Sequence, residues 1–210
     1  MSGAPINRMA GRNQSTGSGP ICSEVYYAGW PKKGLYNDDL NWACRIGINY
    51  LKQIAPITKN QNKIGIIVLD IDDTLVMGDH APILGIREQE RIEDNQEIFI
   101  LPINKQVKAL AVTARNLGLK IVILTARPLS SKAASICNLQ DYDIPYDMII
   151  MNDKDSDPMF KVKVRRSLDN DKRQIVLTVG DQPFDCFSPG KAAAIKLPDP
   201  DCKCAYVYIP

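Results

Sequence analysis

The chain has 210 residues, 45% of them apolar and 24% charged, with a formal net charge of +2. That length is enough for one domain with a real hydrophobic core, and the near-neutral charge excludes a role resting on bulk attraction to polyanions. The apolar runs are far too short to span a bilayer, and Met1 to Pro20 lacks the apolar segment of a secretory signal, so a cytoplasmic location is expected.

Residues 1–19 carry small polar residues and glycine without periodicity and are expected to form a disordered tail; residues 20–210 are expected to form a single domain. Arg8 and Arg12 are too few for a nucleic-acid arm. Tyr26, Tyr27 and Trp30 are expected to pack under the N-terminal segment. From Asn37 the apolar residues Leu40, Ala43, Ile46, Tyr50, Leu51 and Ile54 fall at helical spacing, with Asn37, Asp38 or Asp39 as the cap and Pro56 as the stop. The run from Ile64 reads as a buried strand over 64–70. The following stretch is polar and mixed, with Gly78, Pro82, Gly85 and the lone histidine, His80, and its end, 87–95, is read as helical.

A second helix is predicted over 104–117, with Val107, Leu110, Ala111 and Ala114 as its apolar face and Gly118 as its stop. Then come a strand at 120–124, a helix at 131–140, a strand at 148–151, a polar loop at 152–159, a helix at 160–168 and a strand at 175–179. Residues 192–197 or 206–209 supply a further strand. Strands alternating with helices predict a mainly parallel α/β sheet. Cys22, Cys44, Cys137, Cys186, Cys202 and Cys204 are expected to be free thiols; Cys202-Lys203-Cys204 lacks a second Cys or His pair for a zinc site.

The first core strand ends in Asp70-Ile71-Asp72-Asp73. Acids crowded at the end of a buried strand repel one another and resist desolvation, and a divalent cation is the simplest relief. Ligands of open parallel sheets also bind outside the carboxyl ends of the strands. Thr125 stands at the end of the second strand, Lys161 at the start of a helix, and Asp181 and Asp185 after the 175–179 strand in Gly180-Asp181-Gln182-Pro183-Phe184-Asp185.

In order and spacing these four motifs resemble those of the haloacid dehalogenase (HAD) superfamily of phosphohydrolases. Leu124-Thr125-Ala126-Arg127-Pro128, the segment Phe160 to Leu168 and the helix around Trp42 and Cys44 are similar to the acid phosphatase subfamily related to class B bacterial acid phosphatases and vegetative storage proteins. The resemblance covers roughly residues 25–200. It implies a Rossmann-like three-layer α/β/α sandwich, and the short stretch between Thr125 and Lys161 leaves no room for a large cap domain. It further implies a Mg²⁺-dependent phosphatase. Asp70 would be the nucleophile and Asp72 the general acid and base. Thr125, Ala126, Arg127 and Lys161 would bind the phosphoryl group, and Asp70, Asp181, Asp185 and the Asp72 carbonyl would hold the metal. Asp73 and Thr74 would orient the loop.

Several choices stay open at this level. Lys163 rivals Lys161, although an aromatic, then Lys, then Arg four residues on favours Lys161. Arg127 could reach a substrate phosphate or equally anchor its loop by a salt bridge. The resemblance implies a small phosphomonoester substrate, nucleotides included, and leaves the homo-oligomeric state undecided. The basic run Lys161, Lys163, Arg165, Arg166, Lys172 and Arg173 permits a polynucleotide 3′-phosphatase, which is not favoured, and a non-catalytic storage or scaffold role on the same fold is the third reading. An acid pH optimum is not carried over from the exported bacterial enzymes.

Overall fold

A computed structural model describes residues 21–26, 33–78, 89–93, 96–153, 159–186, 192–198 and 204–210. The tail at 1–19, Tyr27, Trp30, His80 and Cys202 lie outside the described residues, as does the side chain of Tyr26.

Strand β1 (Ile21–Tyr26) is followed by helix α1 (Lys33–Asn60) and strand β2 (Ile64–Leu69). A two-stranded ribbon, β3 (Gln89–Glu93) and β4 (Gln96–Ile100), precedes α2 (Lys105–Asn116) and β5 (Lys120–Pro128). A 3₁₀ turn at Leu129–Ser131 leads into α3 (Lys132–Asp141), then β6 (Met148–Asn152), α4 (Phe160–Leu168) and β7 (Arg173–Gly180). Short α5 (Pro183–Cys186), β8 (Ala193–Lys196) and β9 (Cys204–Ile209) complete the order.

Seven strands form one sheet in the order β1-β9-β8-β7-β2-β5-β6. From β8 to β6 every pairing is parallel; β9 pairs antiparallel with both β8 and β1. The architecture is α/β, with a mainly parallel central sheet. Successive strand residues face opposite sides, and the core obeys that alternation. Ile67, Leu69, Ile121 and Ile123 pack with Leu40 and Leu51 of α1, Leu110 of α2 and Leu139 of α3. Ile66, Val68, Val122 and Leu124 face the other way, toward Leu168 and Val164 of α4. Chain order reverses between β2 and its two neighbours, β5 on one side and β7 on the other, which makes β2 the switch point of the sheet.

Several expectations need correction. Helix α1 begins at Lys33, so Asn37, Asp38 and Asp39 lie inside it and do not cap it. Pro56 does not end α1, which continues through it to Asn60. The N–H that proline lacks would have bonded the carbonyl of Lys52, and both residues are exposed, so the missing bond falls on the solvent side of the helix. Meanwhile Leu51, Ala55 and Thr58 keep one buried face at i, i+4 and i+7. The helix read over 87–95 is absent from its described part: 89–93 pair antiparallel with 96–100, from Gln89 opposite Ile100 to Glu93 opposite Gln96. A non-local ladder satisfies that backbone in place of local helical bonds. At the C-terminal side, 192–197 and 206–209 are not alternatives; both contribute strands, β8 and β9.

Among the described residues Cys44, Cys137 and Cys186 lie outside any disulfide, and burial pushes the Cys44 thiol up to about 12. Among the described residues no helix is long and apolar enough to cross a membrane.

Candidate active site

Asp70 is the residue after β2, and its N–H donates to the Val179 carbonyl of β7 (3.1 Å). The chain then turns sharply. The N–H groups of Thr74, Leu75 and Val76 all donate to the Ile71 carbonyl, and Asp73 adopts a left-handed φ of 51°. Buried Ile71 and Leu75 anchor the turn on either side. Asp73 tolerates that conformation better than a bulkier residue would. The turn separates the two candidate carboxylates: the Asp70 side chain is 7% exposed and that of Asp72 is 47% exposed.

Asp70 continues the parity of Ile66 and Val68, the side of the sheet that α4 covers. Accordingly Lys161, in the first turn of α4, reaches it. Its Nζ donates to Asp70 Oδ1 at 2.7 Å and to Asp185 Oδ1 at 2.6 Å. Lys161 is buried and Lys163 is exposed, so of the two lysines it is Lys161 that meets the carboxylates. One turn on, buried Arg165 donates through Nη2 to the Phe184 carbonyl and pins α5. Phe184 itself is half-exposed and lays its ring 5.3 Å from Lys161 Nζ.

Asp181 and Asp185 come from the end of β7 and the start of α5. Gln182 organises both: its Nε2 donates to Asp181 Oδ2 (2.6 Å) and its backbone N–H to Asp185 Oδ2 (3.2 Å). Asp70, Asp181 and Asp185 each offer a carboxylate oxygen within 4.8 Å of the others, and all three are buried. Burial and then mutual repulsion push Asp70 and Asp181 up to about 7, Asp185 being the strongest charge on Asp70 and Asp70 the strongest on Asp181. Asp185 is raised too, by burial above all, against the pull of Lys161. Burial opposes the charge of Lys161, but the carboxylates of Asp70 and Asp185 outweigh it and its pKa lies above the ordinary lysine value.

Thr125 is fully buried at the end of the buried stretch of β5, and Ala126 is exposed beside it. The Arg127 N–H donates to Thr125 Oγ1 (3.1 Å). The Arg127 guanidinium forks onto Asp72: Nε lies 3.0 Å from Oδ1 and 2.9 Å from Oδ2, and Nη2 lies 2.5 Å from Oδ1. Its Nη1 donates to Ser135 Oγ of α3 (3.0 Å). The site thus divides into two linked parts. One holds Asp70, Asp181, Asp185 and Lys161; the other holds Asp72, Thr125 and Arg127. The Asp72 carboxylate does not join the acid cluster. Ser135 was not singled out by sequence, because one serine at a helix start carries no pattern. The basic run at 161–173 is no single surface, since Lys161 and Arg165 are buried while Lys163, Arg166 and Lys172 are exposed.

A family model described as HAD superfamily, subfamily IIIB (acid phosphatase), matches residues 25–204. The chain belongs to this phosphatase family. A search of curated proteins finds no match. Among solved structures, the Pnkp1/Rnl/Hen1 complex matches at 19% identity and a TM-score of 0.44, over 59% of this chain and 41% of that one. The acid phosphatase subfamily member therefore spans less than half the length of that first structural match. The class C acid phosphatase from Bacillus anthracis matches at 20% identity and a TM-score of 0.49, over 75% of this chain and 69% of that one. Its tungstate-bound form matches at 18% identity and a TM-score of 0.46, over 73% and 68%.

Proposed function

We propose that this chain is a Mg²⁺-dependent hydrolase of small phosphomonoesters, nucleotides among them, acting through an aspartyl-phosphate on Asp70. The observation that carries the reading is the convergence of Asp70, Asp181 and Asp185 within 4.8 Å, with Lys161 donating to two of them. Three buried carboxylates whose pKa values are driven upward by burial and repulsion form a donor set suited to a hard cation. Asp70, Asp181, Asp185 and the backbone carbonyl of Asp72 would hold it. When bound, Mg²⁺ screens the negative charge of the nucleophile and of the phosphoryl oxygens.

Each step then falls to a named group. An Asp70 carboxylate oxygen attacks phosphorus, and the bond from phosphorus to the ester oxygen breaks with its electron pair leaving on that oxygen. The Asp72 carboxylic acid gives the departing oxygen its proton. Water next attacks the phosphorus of the acyl-phosphate and passes a proton to the Asp72 carboxylate, which frees phosphate and restores Asp70. Lys161 and the hydroxyl of Thr125 face the charge on the transferring group.

The test is hydrolysis of p-nitrophenyl phosphate, mononucleotides, sugar phosphates and a 3′-phosphorylated oligonucleotide, each with Mg²⁺ and with EDTA, and with Asp70→Asn as the blank. Turnover that needs the metal and vanishes in the variant is expected, along with a radiolabelled phosphoenzyme trapped by acid quench. Full activity of Asp70→Asn in the metal-replete assay would overturn the mechanism. Preference for the oligonucleotide over every mononucleotide would move the substrate class to polynucleotide ends.

A further inference from the structure

We propose that Arg127, buttressed by Ser135, is a positioning residue that holds the Asp72 carboxyl in its proton-transfer orientation, rather than a ligand of the substrate phosphate. The inference rests on the mechanism just proposed, because it concerns the group assigned there to proton transfer.

Three observations carry it. First, all three guanidinium nitrogens are already engaged. Nε and Nη2 fork onto Asp72 and Nη1 donates to Ser135 Oγ, so the side-on edge of the guanidinium, one of those that pair bidentately with an oxyanion, is already held by a carboxylate. Second, the two ends differ in burial. The Asp72 side chain is 47% exposed at the outer edge of a tight turn, whereas that of Arg127 is 15% exposed and Ser135 is fully buried. A half-exposed carboxyl left alone samples several rotamers; a planar fork anchored in α3 confines it to one. Third, the fork is lopsided. Asp72 Oδ1 receives two of the three short contacts and Oδ2 one, which leaves Oδ2 the oxygen with spare capacity to carry a proton.

Arg127 also ties Thr125 to Asp72, since its backbone N–H donates to Thr125 Oγ1 while its side chain holds the Asp72 carboxylate. One residue therefore sets the spacing between the hydroxyl facing the phosphoryl group and the acid facing the leaving oxygen. Ser135, the first inward residue of α3 with a polar side chain, fixes the guanidinium from behind. Misplacing a proton donor by a fraction of its reach removes most of its assistance without touching the nucleophile.

A positioned acid matters most where the leaving group is a poor one. The experiment measures kcat/KM with Mg²⁺ for phosphomonoesters graded from 2,4-dinitrophenyl phosphate to simple alkyl phosphates. The proteins are wild type, Arg127→Ala, Ser135→Ala, Asp72→Ala and the Arg127→Ala/Asp72→Ala double variant. Arg127→Ala is expected to lose roughly 10- to 100-fold on alkyl esters, part of the 10²- to 10⁴-fold that general acid catalysis supplies, and to change little on the dinitrophenyl ester. Ser135→Ala is expected to show the same slope at smaller amplitude, and it keeps the test available if Arg127→Ala folds poorly. The double variant is expected to match Asp72→Ala, because a positioner has nothing left to position. Equal loss on every ester with a raised KM, additive to Asp72→Ala, would overturn the proposal and make Arg127 a phosphate ligand. An active Asp70→Asn would instead sink the underlying mechanism, so the two failures are distinguishable.

Discussion

Gly180 and Asp185 approach so closely that a Cβ on Gly180 would stand 2.1 Å from the Asp185 Cβ and 2.5 Å from its Oδ2. The last residue of β7 has no side chain because α5 folds its acid back over that point. The Gly180 carbonyl accepts from Leu197 N–H at 2.7 Å, so the strand cannot retreat without breaking its pairing with β8. Gly180→Ala is therefore expected to push Asp185 out of the cluster. Overpacking of this kind costs about 1–3 kcal/mol. Thermal unfolding with and without Mg²⁺ reads both consequences: a lowered Tm, and a metal-induced rise in Tm much smaller than in wild type. An unchanged metal response in Gly180→Ala would show that Asp185 is dispensable to the cation site.

The sheet and its acid-bearing ends were legible because two strong signals coincide there. Buried parallel strands leave continuous apolar runs, and Ile64 to Leu69 and Ile175 to Val179 both end in carboxylates. Helical phase, which the string of letters does not display, separates Lys161 from Lys163 by burial. Lys161, Val162, Arg165 and Leu168 form the buried face of α4, and Lys163 falls outside it. Other features had no local signature. The β3–β4 ribbon depends on a partner strand, which propensity within 87–95 does not report. Pro56 looked terminal because the sequence does not say which side of the helix faces water. For Arg127, the sequence offered phosphate and salt bridge equally, and the choice lay in a contact 55 residues away in the chain.

Lys161 is expected to separate sharply from Lys163. Lys161→Met removes the only cation that donates to both Asp70 and Asp185 among the described contacts, leaving two buried carboxylates to repel each other. Its kcat is expected to fall by roughly 10²- to 10³-fold, the usual cost of losing one donor to a developing charge. Lys163→Met, on the exposed face, is expected to stay within about threefold, as a surface change far from such features does. Steady-state kinetics on one phosphomonoester checks the pair; equal losses in the two variants would refute the division.

Stability of the metal-free protein is expected to fall as pH rises from about 4 to about 7. Asp70 and Asp181 have folded-state pKa values of about 7, whereas a carboxyl in the unfolded chain titrates near about 3.9. Between those values the folded state binds more protons than the unfolded state, so the slope of unfolding free energy with pH is negative. Above pH 7 the penalty is complete and contributes no further slope. A cation that binds the ionised cluster opposes this loss, so the rise in Tm on adding Mg²⁺ should be larger at pH 8 than at pH 5. Melting curves at five pH values, with EDTA and with Mg²⁺, would test it. A metal response of equal size at both ends would mean that these carboxyls do not carry the linkage.

Asp147 is expected to show the opposite sign. It stands just before β6, where its Oδ2 accepts from the Ile121 N–H (2.8 Å) and its Oδ1 from Arg115 (3.0 Å) and Lys120 (2.9 Å). Its own N–H donates to the Ile121 carbonyl (2.8 Å), so one residue clips β5 to β6 at their entry. Burial alone would raise its pKa, but the Ile121 N–H, Lys120 and Arg115 together hold it below the usual carboxylate range. A depressed folded pKa contributes stability above the unfolded value, and that contribution is lost as pH falls through the folded value. Asp147→Ala strips the Ile121 N–H of its side-chain acceptor and is expected to cost about 1–3 kcal/mol. Asp147→Asn keeps that acceptor and gives up two partly exposed ion pairs, at about 0–1 kcal/mol. Urea titrations from neutral pH downward should show the gap between wild type and Asp147→Asn narrowing only once pH falls below the ordinary carboxyl value of about 3.9, toward the lower pKa of the folded carboxyl. A gap that persists undiminished into acid would mean that the clip acts through packing rather than charge.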